Sequence, residues 1–137
     1  MKRIFASALF VAATFLTSHS AVAQSHAVKV NVPFSFTIHN TTLPAGKYTI
    51  SSELLDPATL IIRNEKNTVE AIFTGMDDPG TSVQSGGLVF HHYGDLYFLS
   101  EIRFASTTKA VFLPPTKLEE RARKHNGREY TTSVMAS

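Results

Sequence analysis

The sequence predicts a single all-β domain, an antiparallel β-sandwich or flattened barrel of about six or seven strands with a short C-terminal helix. Three observations favour this class. Apolar and polar residues alternate over an eleven-residue stretch, several further β-rich runs are separated by turn residues, and two aromatic-rich runs are joined by a two-residue turn that begins with glycine.

The first predicted strand runs from Val28 to Ile38. Its even positions are all apolar and its odd positions are mostly polar, a period of two that is typical of a strand with one buried face. Pro33 has no backbone N–H, so the strand should lie at a sheet edge or bend at this residue. The apolar positions are Val28, Val30, Val32, Phe34, Phe36 and Ile38.

The central part of the chain predicts a meander. A proline-containing turn over Leu43–Lys47 leads into a strand over Tyr48–Ser52, and Leu60–Arg63 and Thr68–Thr74 are two further strands with a polar hairpin loop between them. The polar, glycine-containing stretch from Gly75 to Gly87 is expected to be a mobile surface loop, where a loop-borne function would lie.

The clearest predicted hairpin spans Leu88 to Phe104, with Gly94 and Asp95 as its loop. Glycine at the first central position suits a type II′ turn, which pairs Tyr93 with Leu96 and fixes the register of the strands. Alternation then assigns two faces. One face should carry Val89, His91, Tyr93, Leu96, Phe98, Ile102 and Phe104, and the other Leu88, Phe90, His92, Tyr97, Leu99, Glu101 and Arg103.

A last strand over Lys109–Leu113 should end at two prolines, and a helix should follow. Thr116 and Glu119 have the spacing of a capping box, and Gly127 is a helix stop. The apolar stripe of this helix consists of Leu118 and Ala122 only. Residues 116–137 are therefore predicted to be a short helix and a flexible tail, dispensable for the folding of the β domain at 24–115.

The N-terminal segment predicts an exported protein. A basic pair at Lys2 and Arg3 precedes the apolar run Ile4–Leu16, and Ala21-Val22-Ala23 is a small-x-small cleavage pattern. Residues 1–23 are thus expected to be a signal peptide, with a periplasmic or extracellular location for the mature chain and no transmembrane anchor after cleavage.

Composition excludes several function classes. Removal of Lys2 and Arg3 leaves 11 basic residues against 11 acidic ones, and this balance disfavours nucleic acid as a partner. The chain has no cysteine, so disulfides and thiolate-bound metals are excluded. We find no catalytic signature, and we expect no cofactor.

Exposed aromatic residues are the predicted binding residues of a non-catalytic binding or structural module. Tyr48, Tyr93, Tyr97 and His92 are the candidates, because aromatic surface suits a protein, peptide or carbohydrate ligand of the cell envelope. No metal ligands are assigned, since neighbouring histidines such as His91 and His92 point to opposite faces of a strand.

The alternative function is a small extracytoplasmic hydrolase or metal-dependent enzyme with a His/Asp site. Its polar groups would have to converge from separate strands. It gains weight if His91 or His92 lies within reach of His39 or of a loop carboxylate.

The chain also resembles a family of small exported β-rich proteins from soil Acidobacteria. The resemblance is carried by Val32-Pro33-Phe34-Ser35-Phe36, Leu43-Pro44-Ala45-Gly46-Lys47-Tyr48, Leu88-Val89-Phe90-His91, Tyr93-Gly94-Asp95 and Tyr97-Phe98-Leu99-Ser100. It implies an exported location and a β-rich fold, and it implies no activity, ligand or site residue.

Overall fold

A computed structural model describes residues 27–52, 58–78, 85–105 and 110–137; the predicted signal peptide lies outside them. Most of the described residues are in strands and one short helix accompanies them, so the all-β class is confirmed. The elements are β1 (Ala27–Val32), β2 (Phe36–Ile38), β3 (Thr41–Leu43), β4 (Gly46–Ser52), β5 (Thr59–Asn64), β6 (Val69–Thr74), β7 (Met76–Asp78), β8 (Gly87–Tyr93), β9 (Leu96–Arg103), β10 (Ala110–Phe112), α1 (Lys117–Asn126) and β11 (Tyr130–Met135).

The first sheet has the strand order β1-β4-β5-β6, and all its neighbours are antiparallel. Val28, Val30 and Val32 of β1 are buried and their neighbours are exposed, as the period of two predicts. The predicted eleven-residue strand breaks after Val32, since the chain bends at Pro33 and resumes as β2 in the other sheet.

The second sheet has the order β11-β8-β9-β10-β7, and β2 joins β9 through one parallel pair while β3 pairs with β2. The two sheets curl into a half-barrel around one main core. The predicted loop over Gly75–Gly87 is wrong at Met76–Asp78, because this segment forms β7 on the edge of β10. Its residues 79–84 lie outside the described residues.

The hairpin of β8 and β9 has the predicted register near its turn, where Gly94 has φ 60°. Farther from the turn the predicted faces are wrong. Phe90 pairs with Leu99 but Val89 pairs with Glu101, so Ser100 is the extra residue of a β-bulge. The bulge turns Ile102 and Phe104 into the main core beside Leu88, Phe90 and Leu99, and turns Glu101 and Arg103 to the opposite face.

The helix begins as predicted, with Thr116 as N-cap, its hydroxyl accepting from the N–H of Glu119 and Gly127 ending the helix with φ 68°. The thin apolar stripe of this surface helix is only half buried. Ala122 is buried, but Leu118 is 42% exposed and the buried neighbour is the charged Glu119.

The predicted flexible tail is also wrong, because residues 130–135 form β11, which pairs with β8 from His92 to Gly87. Three strands were not predicted, namely β3, β7 and β11. Together with the break after β1 they raise the number of strands among the described residues above the predicted six or seven.

Candidate functional site

Two of the four predicted binding residues belong to the interior. Tyr48 is 5% exposed, lies edge-on to Phe36, and donates its hydroxyl to the carbonyl of Pro44. Burial and the nearby charge of Glu70 raise the pKa of Tyr48. Tyr93 is 1% exposed and its hydroxyl is bonded beneath the helix. Neither ring is available to a ligand in this structure.

The other two predicted residues, Tyr97 and His92, belong to a row of four stacked rings. This aromatic row consists of Phe34, Tyr97, His92 and Tyr130. Centroid distances are 3.8 Å from Phe34 to Tyr97, 4.7 Å from Tyr97 to His92 and 5.2 Å from His92 to Tyr130, with interplanar angles of 17° to 24°.

Sheet register builds the aromatic row. His92 stands directly opposite Tyr97 on one side and Tyr130 on the other, and opposed side chains on one face of a sheet are in contact distance. Phe34 reaches the row from the bend after β1 and lies edge-on to the core residue Phe90. The row therefore starts against the core and ends on the outermost strand of its sheet.

The aromatic row is most exposed at its Tyr130 end. Phe34, Tyr97 and His92 are half-buried, and Tyr130 is 48% exposed. Within the described chain the ring of Tyr130 stacks on His92 alone, and its hydroxyl accepts from Arg128 at 3.4 Å. A further group with a flat apolar surface can therefore stack on the ring of Tyr130.

A second set of residues, the polar cluster, lies on the opposite face of β8 and β9 under α1. It consists of His91, Tyr93, Ser100, Glu119 and Glu129. Nδ1 of His91 is 3.1 Å from Oε1 of Glu119, and Nε2 is 3.1 Å from Oγ of Ser100. Because a carboxylate only accepts, Nδ1 carries a proton, and in the neutral ring Nε2 accepts from Ser100.

Two carboxylates share the hydroxyl of Tyr93. It lies 3.0 Å from Oε1 of Glu119 and 3.1 Å from Oε2 of Glu129, and Oε1 of Glu129 is 3.7 Å from Nε2 of His91. Burial, the charge of Glu119 and its hydrogen bond raise the pKa of Tyr93 far above 10, with a smaller contribution from Glu129. The phenol therefore keeps its proton and holds helix and sheet together.

The condition set for the enzyme alternative is met in part, because His91 lies 3.7 Å from Glu129, a carboxylate on the loop after α1. The contacts of His39 are with other residues. Nε2 of His39 is 3.3 Å from the carbonyl of Thr74, and its ring tilts against Phe73. Across the described ranges no group of three His, Asp or Glu side chains is placed to hold a metal ion.

Sequence reasoning missed Phe34, Tyr130, Ser100, Glu119 and Glu129 as members of these two sets. It correctly placed His91 and Tyr93 on one face, and it gave Glu119 a capping role. The backbone half of that cap is present, but the Glu119 carboxylate turns to Tyr93 and His91 instead.

No protein family, curated protein or solved structure matches this chain. Among the helical residues that the structure describes, none belong to a helix long and apolar enough to cross a membrane.

Proposed function

We propose that this protein is a non-catalytic exported binding module that holds a carbohydrate of the cell envelope on its aromatic row. The observation that carries the proposal is the continuous stack from the core to the half-exposed Tyr130. The predicted signal peptide supports the location.

The chemistry of the row favours a sugar ring. The C–H face of a pyranose is apolar and its rim is polar, which matches an aromatic face flanked by hydrogen-bonding groups. Tyr130 offers that face. The Tyr130 hydroxyl and the guanidinium of Arg128 lie at its rim. The rigid support of His92 and Tyr97 behind the ring lowers the entropy lost on binding.

Calorimetric titration with an oligomer of β-1,4-linked N-acetylglucosamine tests the proposal. Tyr130→Ala should weaken binding at least tenfold, which corresponds to about 1.4 kcal/mol. Tyr130→Phe keeps the ring and should retain most of the affinity.

Met135→Ala is the matched control, because Met135 is exposed on the same strand and lies away from the row. Absence of binding to the oligomer, or equal losses for Tyr130→Ala and Met135→Ala, would contradict a carbohydrate site at the row.

A second candidate function, a small hydrolase, is favoured by one observation. Ser100, His91 and Glu119 form a chain of contacts at 3.1 Å each, with the connectivity of a nucleophile, a base and an orienting carboxylate. Against it, Ser100 is only 5% exposed and Glu129 competes for Nε2 of His91.

A fluorophosphonate reagent separates the two candidates, because it labels only an activated serine. Labelling that disappears in Ser100→Ala would favour the hydrolase. An unlabelled protein would leave the polar cluster with the structural role of joining helix and sheet.

A further inference from the structure

A groove of about 450 Å³ lies between α1 and the sheet, separate from the aromatic row. Phe98 and Leu96 of β9 line it from the sheet, and Leu118 and Ala122 line it from the helix. Its volume is within the range of small-molecule sites. Most of the surface that faces the groove is apolar, and its polar part comes from Thr37, Thr42, Arg121, His125 and Asn126. We call it the helix groove.

The apolar wall of the helix groove is partly uncovered. Leu96 is 50% exposed and Leu118 is 42% exposed, whereas Phe98 and Ala122 are buried at its base beside Tyr93. Two exposed leucines on facing elements form a continuous apolar surface, and not two isolated side chains.

Basic residues border the helix groove on one side. Arg121 and His125 both line it, and their spacing of four residues puts them on one face of α1. In the described part of the chain no carboxylate lies within ion-pair distance of Arg121. The nearest helical acid on the buried side, Glu119, is engaged by His91 and Tyr93.

We propose that the helix groove binds a fatty acid, with its hydrocarbon chain on Leu96, Phe98 and Leu118 and its carboxylate at Arg121. The apolar wall removes the chain from water, and the Arg121 guanidinium, which pairs with no carboxylate of the described residues, supplies a bidentate partner of opposite charge. This site shares no residue with the aromatic row, so the inference stands or fails independently of the proposed function.

Titration with sodium dodecanoate below its micelle concentration tests the proposal, with 1-dodecanol as a neutral chain of equal length. The protein should bind dodecanoate, and Arg121→Gln should weaken that binding at least tenfold while leaving dodecanol binding unchanged. Arg123→Gln is the control, because Arg123 is exposed on the same helix and does not line the groove. It should leave both affinities unchanged.

A second variant tests the apolar wall without touching charge. Leu118→Asn replaces a side chain that is already 42% exposed, so the fold should survive, and it should weaken dodecanoate and dodecanol alike. No binding of dodecanoate, or equal effects of Arg121→Gln and Arg123→Gln, would overturn the proposal. So would a dimer in solution that Leu118→Asn dissociates, since a second copy would then cover the groove.

Discussion

Tyr93→Phe isolates the hydroxyl that joins α1 to the sheet. The substitution keeps the buried ring and removes the donor that Glu119 and Glu129 share. A hydrogen bond to a charged group contributes about 1.5–3 kcal/mol, and the 5% exposed Glu119 would keep His91 as a side-chain partner. We therefore expect Tyr93→Phe to lower the free energy of unfolding by about 1.5–3 kcal/mol at pH 7.

The difference between the two proteins should shrink in alkali. The pKa of Tyr93 is raised in the folded state above its value of 10.0 in the unfolded chain. Above pH 10 the unfolded chain loses this proton and the folded protein keeps it, so stability falls as pH rises. At pH 11 the loss is about 1.4 kcal/mol for wild type. Tyr93→Phe lacks this contribution, and other groups, including Tyr48, affect both proteins alike.

Urea unfolding at pH 7 and pH 11 measures both effects. Tyr130→Phe is the control, because its hydroxyl is on the surface with one long contact to Arg128, and it should change stability by less than about 0.5 kcal/mol. Two results would refute the reasoning. One is a Tyr93→Phe variant as stable as wild type at pH 7, and the other is a variant that loses as much stability as wild type between pH 7 and pH 11.

Three further predictions concern the packing of the C-terminal part. Gly87→Ala should lower the free energy of unfolding in urea by at least about 2 kcal/mol. The φ of Gly87 is 157°, and a Cβ at this position would lie 2.4 Å from the carbonyl oxygen of Val134. Gly46→Ala is the control, because a Cβ there makes no such contact and should change stability little. Thr116→Ala should cost about 1 kcal/mol and Thr116→Ser much less, by the same assay. Deletion of residues 128–137 removes β11 and should lower the thermal midpoint by roughly 10 °C; an unchanged midpoint would show that β11 contributes nothing.

Local chemistry explains what the sequence predicted well. Gly94 starts a two-residue turn, and the turn sets the pairing of Tyr93 with Leu96 and of His92 with Tyr97 without help from the rest of the chain. The stacking of His92 on Tyr97 follows from this register. Likewise the buried valines of β1 follow from a period of two that Pro33 interrupts.

Long-range contacts explain what it missed. The bulge at Ser100 depends on how β9 fits β8 and β10 together, and the carbonyl of Ser100 accepts from the N–H of Leu113. β11 is stabilised by its pairing with β8. The threonines and the valine of β11 favour a strand, but the sequence interpretation treated this segment as the tail of the preceding helix. The Glu119 carboxylate does not make the predicted capping contact, because it accepts instead from His91 and Tyr93 on the sheet.

The alternation of one strand places the two candidate sites back to back. His92 faces the aromatic row and its neighbours His91 and Tyr93 face the polar cluster, because successive side chains of β8 point to opposite faces. The same holds after the helix, where Glu129 contacts Tyr93 and the next residue, Tyr130, ends the row. The polar cluster thus fixes the entry of β11 into the sheet, and this entry positions the Tyr130 ring that the proposed carbohydrate would contact.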